Sequence, residues 1–274
     1  MAERRETQFG ALLREWRTRR NLSQLTLAVN ADVSQRHLSF IESGRARPSR
    51  EMVARIGEAL DVPLRGRNEM LAAAGFSSLY PERSLVRAEM ARARGALERI
   101  LSHHEPYPAM VVDRAWNIVL RNPASARIIR ACVAPEAMAD LMVDGELNFM
   151  RLMFSPSGMR PHVLSWHRTA NYLIGRLRRE ATSDPGSPSA RLLHELRPLV
   201  PPAPHPAFDD PAPPPTAPLE LEVDGRQVRL FNTLATFGTP QDVTLQELRI
   251  EMSFPMDEAS EEFLRDGAHG ADLG

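Results

Sequence analysis

Residues 22–49 read LSQLTLAVNADVSQRHLSFIESGRARPS. Ser23 and Ser34 each precede a short run with apolar residues at helical spacing, and a serine at that place accepts a hydrogen bond from the first turn of a helix. The spaced apolar residues are Leu27, Ala28, Val33, Leu38 and Ile41. So few residues separate the two runs that a tight turn has to join them, and Gly44 is placed to end the second run. The stretch therefore predicts two short helices packed as a helix-turn-helix.

Helical stripes continue on both sides of this stretch. Apolar residues recur at helical spacing over residues 9–16, again over 49–60, which opens with a capping serine, and again over 64–74. Gly75 follows as a helix stop. We therefore expect residues 1–75 to form one all-α domain of five helices.

The spacing of these residues resembles the phage-repressor-like, or xenobiotic-response-element, helix-turn-helix domain, whose fold is lambda-repressor-like. The matching positions are Ser23-Gln24, Leu27-Ala28, Val33-Ser34, Ile41-Glu42, Gly44 and Pro48. One position departs from the family, because Asp32 stands where its turn usually has glycine. Aspartate tolerates left-handed backbone better than most residues, so we expect the turn to form at a modest cost.

The resemblance implies that the second helix of the motif, from Ser34 to about Ser43, lies in the major groove of double-stranded DNA. The residues suited to reading bases are Ser34, Gln35, Arg36 and Ser39, with His37 and Phe40 within reach. The residues placed to hold phosphates are Gln24, Arg45 and Arg47. The alternative is structural, with Ser34 only a helix cap and the two loop arginines only solvated charges.

Charge is divided unevenly along the chain. The whole sequence of 274 residues has a formal net charge of -1, but residues 1–75 hold 13 Arg against 9 Asp and Glu, whereas residues 76–274 hold 21 against 26. The first part therefore carries +4 and the second -5. A basic segment ahead of an acidic one is typical of a nucleic-acid-binding module joined to a part that does not contact phosphate, although chance also produces such differences.

β patterns occur in two regions of the second part. The strand-like runs are residues 109–112, 116–120, 219–223, 227–236 and 246–254. Asp224-Gly225 between two of them is a hairpin signal, and Asn122-Pro123 after another predicts the start of a helix. Two strands before a helical insert and three after it predict an α+β domain with a five-stranded antiparallel sheet.

Helical patterns occupy most of the rest. Residues 76–106 begin with FSSLYPERS and continue, with apolar residues from Leu85 to Leu101, as a helix suited to connecting two domains or pairing with a second subunit. Further helical spacing appears around 145–154 and over 161–181. Residues 198–218 are rich in proline and predict an exposed, polyproline-leaning loop inside the second domain. The resulting division is a helix-turn-helix domain at 1–75, a connecting helix at 76–106, a second domain at 107–266 and a tail at 267–274.

Three blocks of the second part carry a further resemblance. They are residues 103–122, HHEPYPAMVVDRAWNIVLRN, residues 147–170, LNFMRLMFSPSGMRPHVLSWHRTA, and residues 231–255, FNTLATFGTPQDVTLQELRIEMSFP. In this order they resemble the ligand-binding domain of MmyB-like transcription regulators. The resemblance implies a PAS-like domain that forms homodimers and holds a long-chain fatty acid or similar lipid in an internal cavity. The proline-rich loop is longer than is usual in the family.

A fatty acid requires a long apolar tunnel and one or two groups that bind its carboxylate, which arginine can supply. The candidates for the tunnel are Met110, Val112, Phe149, Met153, Phe154, Trp166 and Phe237. The candidates for the head group, chosen because they lie in the matched blocks beside turns, are Asn122, Arg160 and His162. Plain core packing is the alternative role for the apolar residues.

No pattern in the sequence predicts catalysis or metal binding. The single cysteine, Cys132, has no flanking nucleophile or redox pattern, and the sequence contains no nucleophile elbow, phosphate loop or dinucleotide-binding motif. We therefore expect no enzyme activity, no metal and no cofactor, with a bound fatty acid acting only as an effector. Because no apolar run is long enough for a membrane span and no signal-peptide pattern is present, we expect a cytoplasmic protein without a membrane partner.

Together these patterns predict a bacterial one-component transcription regulator. The expected molecule is a homodimer that reads operator DNA through its helix-turn-helix and senses a fatty-acid-like molecule in its PAS-like domain. Two alternatives stay open: a constitutive dimeric repressor whose second domain only dimerises, and a lipid carrier or enzyme with a DNA-binding head. Extractable lipid distinguishes the prediction from the first alternative, and turnover or lipid transfer without DNA identifies the second.

Overall fold

The computed structural model describes residues 8–143, 145–184, 186–200 and 218–269. The chain forms two compact units. Unit 1 consists of Met1–Ser84 together with Gly238–Gln246, and unit 2 consists of Leu85–Phe237 together with Glu247–Gly274. Each unit therefore contains residues from two separate parts of the chain.

The first part of unit 1 is helical. Its helices are α1 (Gln8–Arg19), α2 (Gln24–Asn30), α3 (Gln35–Glu42), α4 (Arg50–Ala59) and α5 (Leu64–Ala73). Their apolar faces meet in one core, in which Leu13, Leu38 and Ile56 are fully buried. Burying a side chain of this size contributes about 1.5–3 kcal/mol, and tertiary packing of this kind is what stabilises helices this short. The five predicted helices, including both helices of the helix-turn-helix, are confirmed.

Serine caps and left-handed residues set the ends of these helices. Ser23, Ser34 and Ser49 each accept a hydrogen bond from the backbone N–H three residues further on, at 3.0–3.2 Å. Asp32, in the turn between α2 and α3, has a φ of +50°. The aspartate therefore adopts the left-handed conformation that the sequence predicts for this turn. Gly44, just after α3, is also left-handed and ends that helix as predicted.

The first part of the predicted connecting helix is not helical. The helical spacing that the sequence shows from Leu85 onward becomes α-helical only in α6, Ala91–His103, which follows a short 3-10 turn at Ala88–Met90. Further upstream, the backbone N–H groups of Leu79 and Tyr80 donate to the side chain of Asn68, at 3.0 and 3.1 Å. These two hydrogen bonds attach the FSSLYPERS stretch, which the sequence places ahead of the helix, to a side chain of α5.

Unit 2 is built on an antiparallel sheet. Its strands are β1 (Ala109–Val112), β2 (Ile118–Arg121), β3 (Met142–Val143), β4 (Glu146–Leu147), β5 (Leu219–Val223), β6 (Arg226–Ala235) and β7 (Arg249–Pro255). Five of them form one sheet in the order β2-β1-β7-β6-β5, and β3 pairs with β4. The turn between β5 and β6 has positive φ at both Asp224 and Gly225, as a tight hairpin requires. The α+β class, the five-stranded antiparallel sheet and the Asp-Gly hairpin are confirmed.

Two strands start later than the sequence predicts. β2 begins at Ile118, because Trp116 has a φ of +67° and still belongs to the turn after β1. β7 begins at Arg249, because Val243–Glu247 forms the short helix α12 ahead of it. A turn in the first place and a short helix in the second override the β preference of the side chains.

Helices complete unit 2. Besides α6 and α12 they are α7 (Pro123–Cys132), α8 (Pro135–Met138), α9 (Phe149–Phe154), α10 (Trp166–Ser183), α11 (Pro188–Leu196) and α13 (Glu258–His269). Asn122 caps α7 and a proline opens it, as predicted. The helical pattern around 145–154 is only α9, because the β3–β4 hairpin takes its first residues, and the pattern over 161–181 becomes helical at Trp166. Trp116 and Phe154 are fully buried in the hydrophobic core of unit 2, to which residues of both the sheet and the helices belong.

Two sequence predictions fall wholly or partly outside the described residues. Residues 201–217, most of the proline-rich loop predicted over 198–218, are not described. The predicted tail at 267–274 is described only to residue 269, and that part belongs to α13.

Candidate functional site

One face of α3 is exposed and carries the residues predicted to read DNA. Gln35 and Arg36 are exposed in its first turn, directly after the cap Ser34. The other predicted residues of this helix are half-buried, and they are His37, Ser39 and Phe40. Leu38 and Ile41 fix the opposite face in the core of unit 1. A helix held in this way presents its N-terminal side chains outward, as a recognition helix does in a major groove.

Phe40 links a predicted base contact to a predicted phosphate contact. The guanidinium carbons of Arg36 and Arg45 lie 5.4 and 5.6 Å from the centre of the Phe40 ring. The Phe40 carbonyl also accepts the backbone N–H groups of Arg45 and Ala46, at 2.7 and 3.2 Å. Cation–π contacts contribute about 0.5–1 kcal/mol each at exposed sites. One ring therefore restricts two exposed arginines, and Arg47 follows, exposed, in the same loop.

Glu42, the last residue of α3, is a buried carboxylate whose role the sequence did not reveal. Its side chain accepts hydrogen bonds from Arg17 Nε at 2.6 Å and from Gln24 Nε2 at 2.6 Å. The amide of Gln24, predicted to hold a phosphate, is thus bound to α3. Helices α1, α2 and α3 meet at this carboxylate, which fixes the position of α3. The available signal was an acidic residue inside an apolar register, between Ile41 and Gly44.

Unit 2 contains a cavity of about 390 Å³. It is lined by parts of α9, α10, β5, β6 and β7. Its apolar lining consists of Phe149, Met153, Leu173, Leu219 and Leu234. Its volume lies within the range of about 300–1,000 Å³ that is typical of small-molecule pockets.

One wall of the cavity is basic. Arg168 of α10 donates to Glu220 at 2.9 Å, and Arg176 of α10 donates to Glu251 of β7 at 2.6 Å. The guanidinium carbon of Arg176 also lies 4.5 Å from the centre of the Trp116 ring. A ligand carboxylate would compete with Glu251 for Arg176, because a guanidinium binds any carboxylate with the same geometry.

Thr169 adds an unused hydroxyl to the same wall. The residue is 7% exposed, and its Oγ1 has no hydrogen-bond partner within the part of the chain that the structure describes. A buried hydroxyl without a partner costs about 1–3 kcal/mol. Thr169 and Arg176 are seven residues apart on α10 and share a face, at about 10 Å along the helix axis. Both residues therefore belong to the same side of the cavity, where the guanidinium of Arg176 is the group suited to an anion.

Of the residues predicted to hold a ligand, Phe149 and Met153 line this cavity. The other predicted residues do not belong to its described lining, and they are Met110, Val112, Asn122, Phe154, Arg160, His162, Trp166 and Phe237. The Asn122 side chain caps α7 and donates to the Tyr107 carbonyl at 2.8 Å. The guanidinium carbon of Arg160 lies 5.4 Å from the centre of the Trp166 ring. The sequence missed Thr169, Arg176 and Glu251, although the two on α10 show helical i, i+7 spacing.

Cys132 of unit 2 has a thiol that stays protonated near neutral pH. Cys132 is buried, and burial together with the nearby Asp224 raises the pKa of its thiol to about 11, so the reactive thiolate is scarce near neutral pH. Among the described residues, no group of three or more His, Cys, Asp or Glu side chains is placed to hold a metal ion. No helix within the described ranges is both long and apolar enough to span a membrane.

Comparison with known proteins gives matches to two family models. Residues 93–266, more than half of the chain, match the MmyB-like transcription regulator ligand binding domain, and residues 8–70 match a helix-turn-helix domain. No curated protein matches the chain.

Two solved structures show a more distant similarity. The restriction-modification controller protein C.AhdI from Aeromonas hydrophila is 33% identical over 22% of this chain and 92% of its own, with a TM-score of 0.22. An RNA-binding light-oxygen-voltage receptor is 13% identical over 98% of this chain and 64% of its own, with a TM-score of 0.26.

Proposed function

The chain belongs to the MmyB-like transcription regulators, and from this premise we propose that it is a one-component regulator whose operator binding responds to a fatty-acid-like molecule. The observation that carries the proposal is that one chain combines an exposed recognition-helix surface with a separate cavity that has an apolar side and a basic side. We assign DNA binding to residues 1–75, connection to 76–106, ligand binding in a PAS-like domain to 107–266 and a tail to 267–274. The protein is expected to act in the bacterial cytoplasm, without a membrane partner and without catalysis.

For DNA binding, we assign base contacts to the exposed first turn of α3 and phosphate contacts to the loop after it. Arg36 reads a guanine through two hydrogen bonds, and Gln35 reads an adenine. Arg45 and Arg47 hold the backbone, which adds affinity and salt dependence but no sequence preference. A homodimer would place two such helices on half-sites about one helical turn apart.

Arg36→Ala and Arg45→Ala are expected to impair DNA binding in different ways. Arg36→Ala removes a base contact, so preference at one operator position relaxes by about 1–3 kcal/mol while nonspecific binding stays. Arg45→Ala removes a phosphate contact, so binding weakens on every sequence and the slope of log affinity against log salt falls by about 1. The measurement is binding to a selected duplex and its single-base variants at several salt concentrations.

Arg50→Ala, an arginine of unit 1 on α4 rather than in the motif loop, is the matched control for loss of positive charge. A uniform loss with Arg36→Ala would reassign that residue to phosphate. An unchanged salt slope with Arg45→Ala would remove it from the interface.

For ligand binding, the apolar lining of the cavity would take the hydrocarbon part and its basic wall the carboxylate. Phe149, Met153 and Leu173 supply the apolar side. Arg176 supplies a guanidinium whose present partner is itself a carboxylate, Glu251. This division of polar and apolar groups is what an amphiphilic acid requires.

Extraction of the purified full-length protein with organic solvent, followed by mass spectrometry, is expected to yield a stoichiometric fatty acid. Leu234→Trp narrows the cavity from a position that is 50% exposed and is expected to lower the bound lipid severalfold. Leu164→Trp is the matched control, because Leu164 is 47% exposed and does not belong to the described cavity lining. A protein that yields no lipid and gains no stability from added fatty acids would favour the constitutive dimeric repressor.

A further inference from the structure

Residues 238–246 lie between β6 and β7, inside the matched ligand-binding region, yet they belong to unit 1. Asp242 pairs with Arg83 at 3.2 Å, and the Val243 backbone N–H donates to the Pro81 carbonyl at 2.8 Å. Asp242 and Val243 are 4% and 1% exposed. Because burial of a charged and an apolar side chain accompanies these contacts, the segment is docked rather than loosely placed.

Gln246 supplies a cap that α5 lacks. Helices α2, α3 and α4 begin with capping serines, whereas α5 follows Pro63, which has no side-chain acceptor. The Oε1 atom of Gln246 accepts the backbone N–H of Leu64, the first residue of α5, at 2.6 Å. The first N–H groups of a helix have no partner inside the helix, so an oxygen placed there stabilises its first turn. A residue from the ligand-binding region thus completes a helix of unit 1.

α5 in turn positions the helices that carry the DNA contacts. Gly66 of α5 approaches α1 so closely that a Cβ atom there would lie 3.0 Å from the Trp16 ring. The neighbouring residue of α1, Arg17, binds Glu42 at the end of α3. A shift of the first turn of α5 therefore acts on α1, and through the Arg17–Glu42 pair on the recognition helix.

At both of its ends, the segment 238–246 continues into strands that line the cavity. Leu234 of β6 lines the cavity and lies four residues before the segment begins. Glu251 of β7 also lines it and lies five residues after the segment ends. A ligand that displaces Glu251 from Arg176 breaks a hydrogen bond of β7, and β7 follows the segment directly in the chain.

We propose that Gln246 is a positioning residue through which the ligand state of the cavity reaches the DNA-binding helices. In the docked state it caps α5, and a ligand that favours either the docked or the undocked state changes operator affinity accordingly. The inference rests on the proposed function, because it requires both operator binding and an occupied cavity. Beyond the proposed function, the inference names the residue and the contacts that would connect ligand binding to operator binding.

Three full-length variants test the proposal. Gln246→Met keeps the length of the side chain but removes the acceptor. Gln246→Glu keeps an acceptor oxygen and places a negative charge at a helix N-terminus, where it is favourable, so it is the conservative rescue. Gln241→Met is the matched control, because Gln241 is an exposed glutamine of the same segment.

The first readout is amide hydrogen exchange in the first turn of α5. Gln246→Met is expected to speed exchange there by about fivefold, the factor that corresponds to loss of an ordinary N-cap, and the other two variants are expected to leave it unchanged. Equal exchange in Gln246→Met and Gln241→Met would overturn the capping role.

The second readout is the ratio of operator affinities with and without palmitate, on a duplex selected from a random pool by the wild-type protein. Gln246→Met is expected to reduce this ratio by about threefold or more, while Gln246→Glu and Gln241→Met retain it. A full palmitate response in Gln246→Met would overturn the proposal. If the wild type binds DNA but ignores palmitate, the proposed ligand class has failed, and the exchange readout alone then decides whether Gln246 positions α5.

Discussion

Replacing Glu42 with alanine is expected to destabilise the helix-turn-helix fold by about 3–5 kcal/mol and to abolish operator binding. The Glu42 carboxylate is 1% exposed and holds Arg17, whose side chain is 16% exposed. Removing the carboxylate leaves that guanidinium largely buried without a counter-charge, which costs far more than a lost surface pair. A small domain has only about 5–15 kcal/mol of total stability, so a loss of this size is a large part of it.

The measurement is amide hydrogen exchange of residues 8–43 in the full-length protein, together with affinity for a selected duplex. Glu42→Gln is expected to lie between the wild type and Glu42→Ala, because an amide oxygen still accepts a hydrogen bond but carries no charge. Glu58→Ala, an exposed glutamate of α4, is the matched control and is expected to change neither readout. Protection and affinity that survive Glu42→Ala would show that apolar packing alone fixes α3.

The features of the fold that the sequence predicts well are those set by neighbouring residues. Ser34 caps α3 through a hydrogen bond from the backbone N–H only three residues further on. Asp32 forms the turn through the left-handed conformation of its own backbone. The hairpin at Asp224-Gly225 forms for the same local reason. Local signals were less reliable at strand ends, since Trp116 has a β-favouring side chain but belongs to the turn before β2.

The candidate sites depend on contacts between distant residues, which one sequence does not specify. Glu42 became central because Arg17 and Gln24, on two other helices, converge on it. The cavity wall joins Arg176 of a helix to Glu251 of a strand, and only the sheet register decides which residues of that strand face the helix. The exposed face of α3 was predictable, because the apolar spacing that defines its buried face also defines the opposite one.

Glu180→Ala is expected to destabilise unit 2 by about 3 kcal/mol, because it removes the counter-charge of a buried arginine. Glu180 pairs with Arg249, accepts the indole N–H of Trp116 at 3.0 Å and accepts the Ser189 hydroxyl. Burial lowers the pKa of Arg249 below its ordinary value, and the charge of Glu180 opposes that shift. The guanidinium carbon of Arg249 also lies 4.3 Å from the centre of the Trp116 ring, so the tryptophan loses a restraint as well.

Glu195→Ala is the control for burial, with exchange read for each variant in the elements that its own ion pair joins, α9 and α11 for Glu195 and α10 and β7 for Glu180. Glu195 binds Arg151 through two hydrogen bonds of 2.8 Å, but the side chains are 45% and 30% exposed, against 26% and 14% for Glu180 and Arg249. An exposed pair contributes about 0–1 kcal/mol even with good geometry, so Glu195→Ala is expected to leave exchange in α9 and α11 nearly unchanged, while Glu180→Ala speeds exchange in α10 and β7. Equal effects would mean that the number of hydrogen bonds, rather than the burial of the charge, sets the strength of these pairs. Arg249 is the first residue of β7 and lies three residues after Gln246. Glu180→Ala is therefore also expected to weaken the response of operator binding to palmitate, whereas Glu195→Ala is expected to preserve that response.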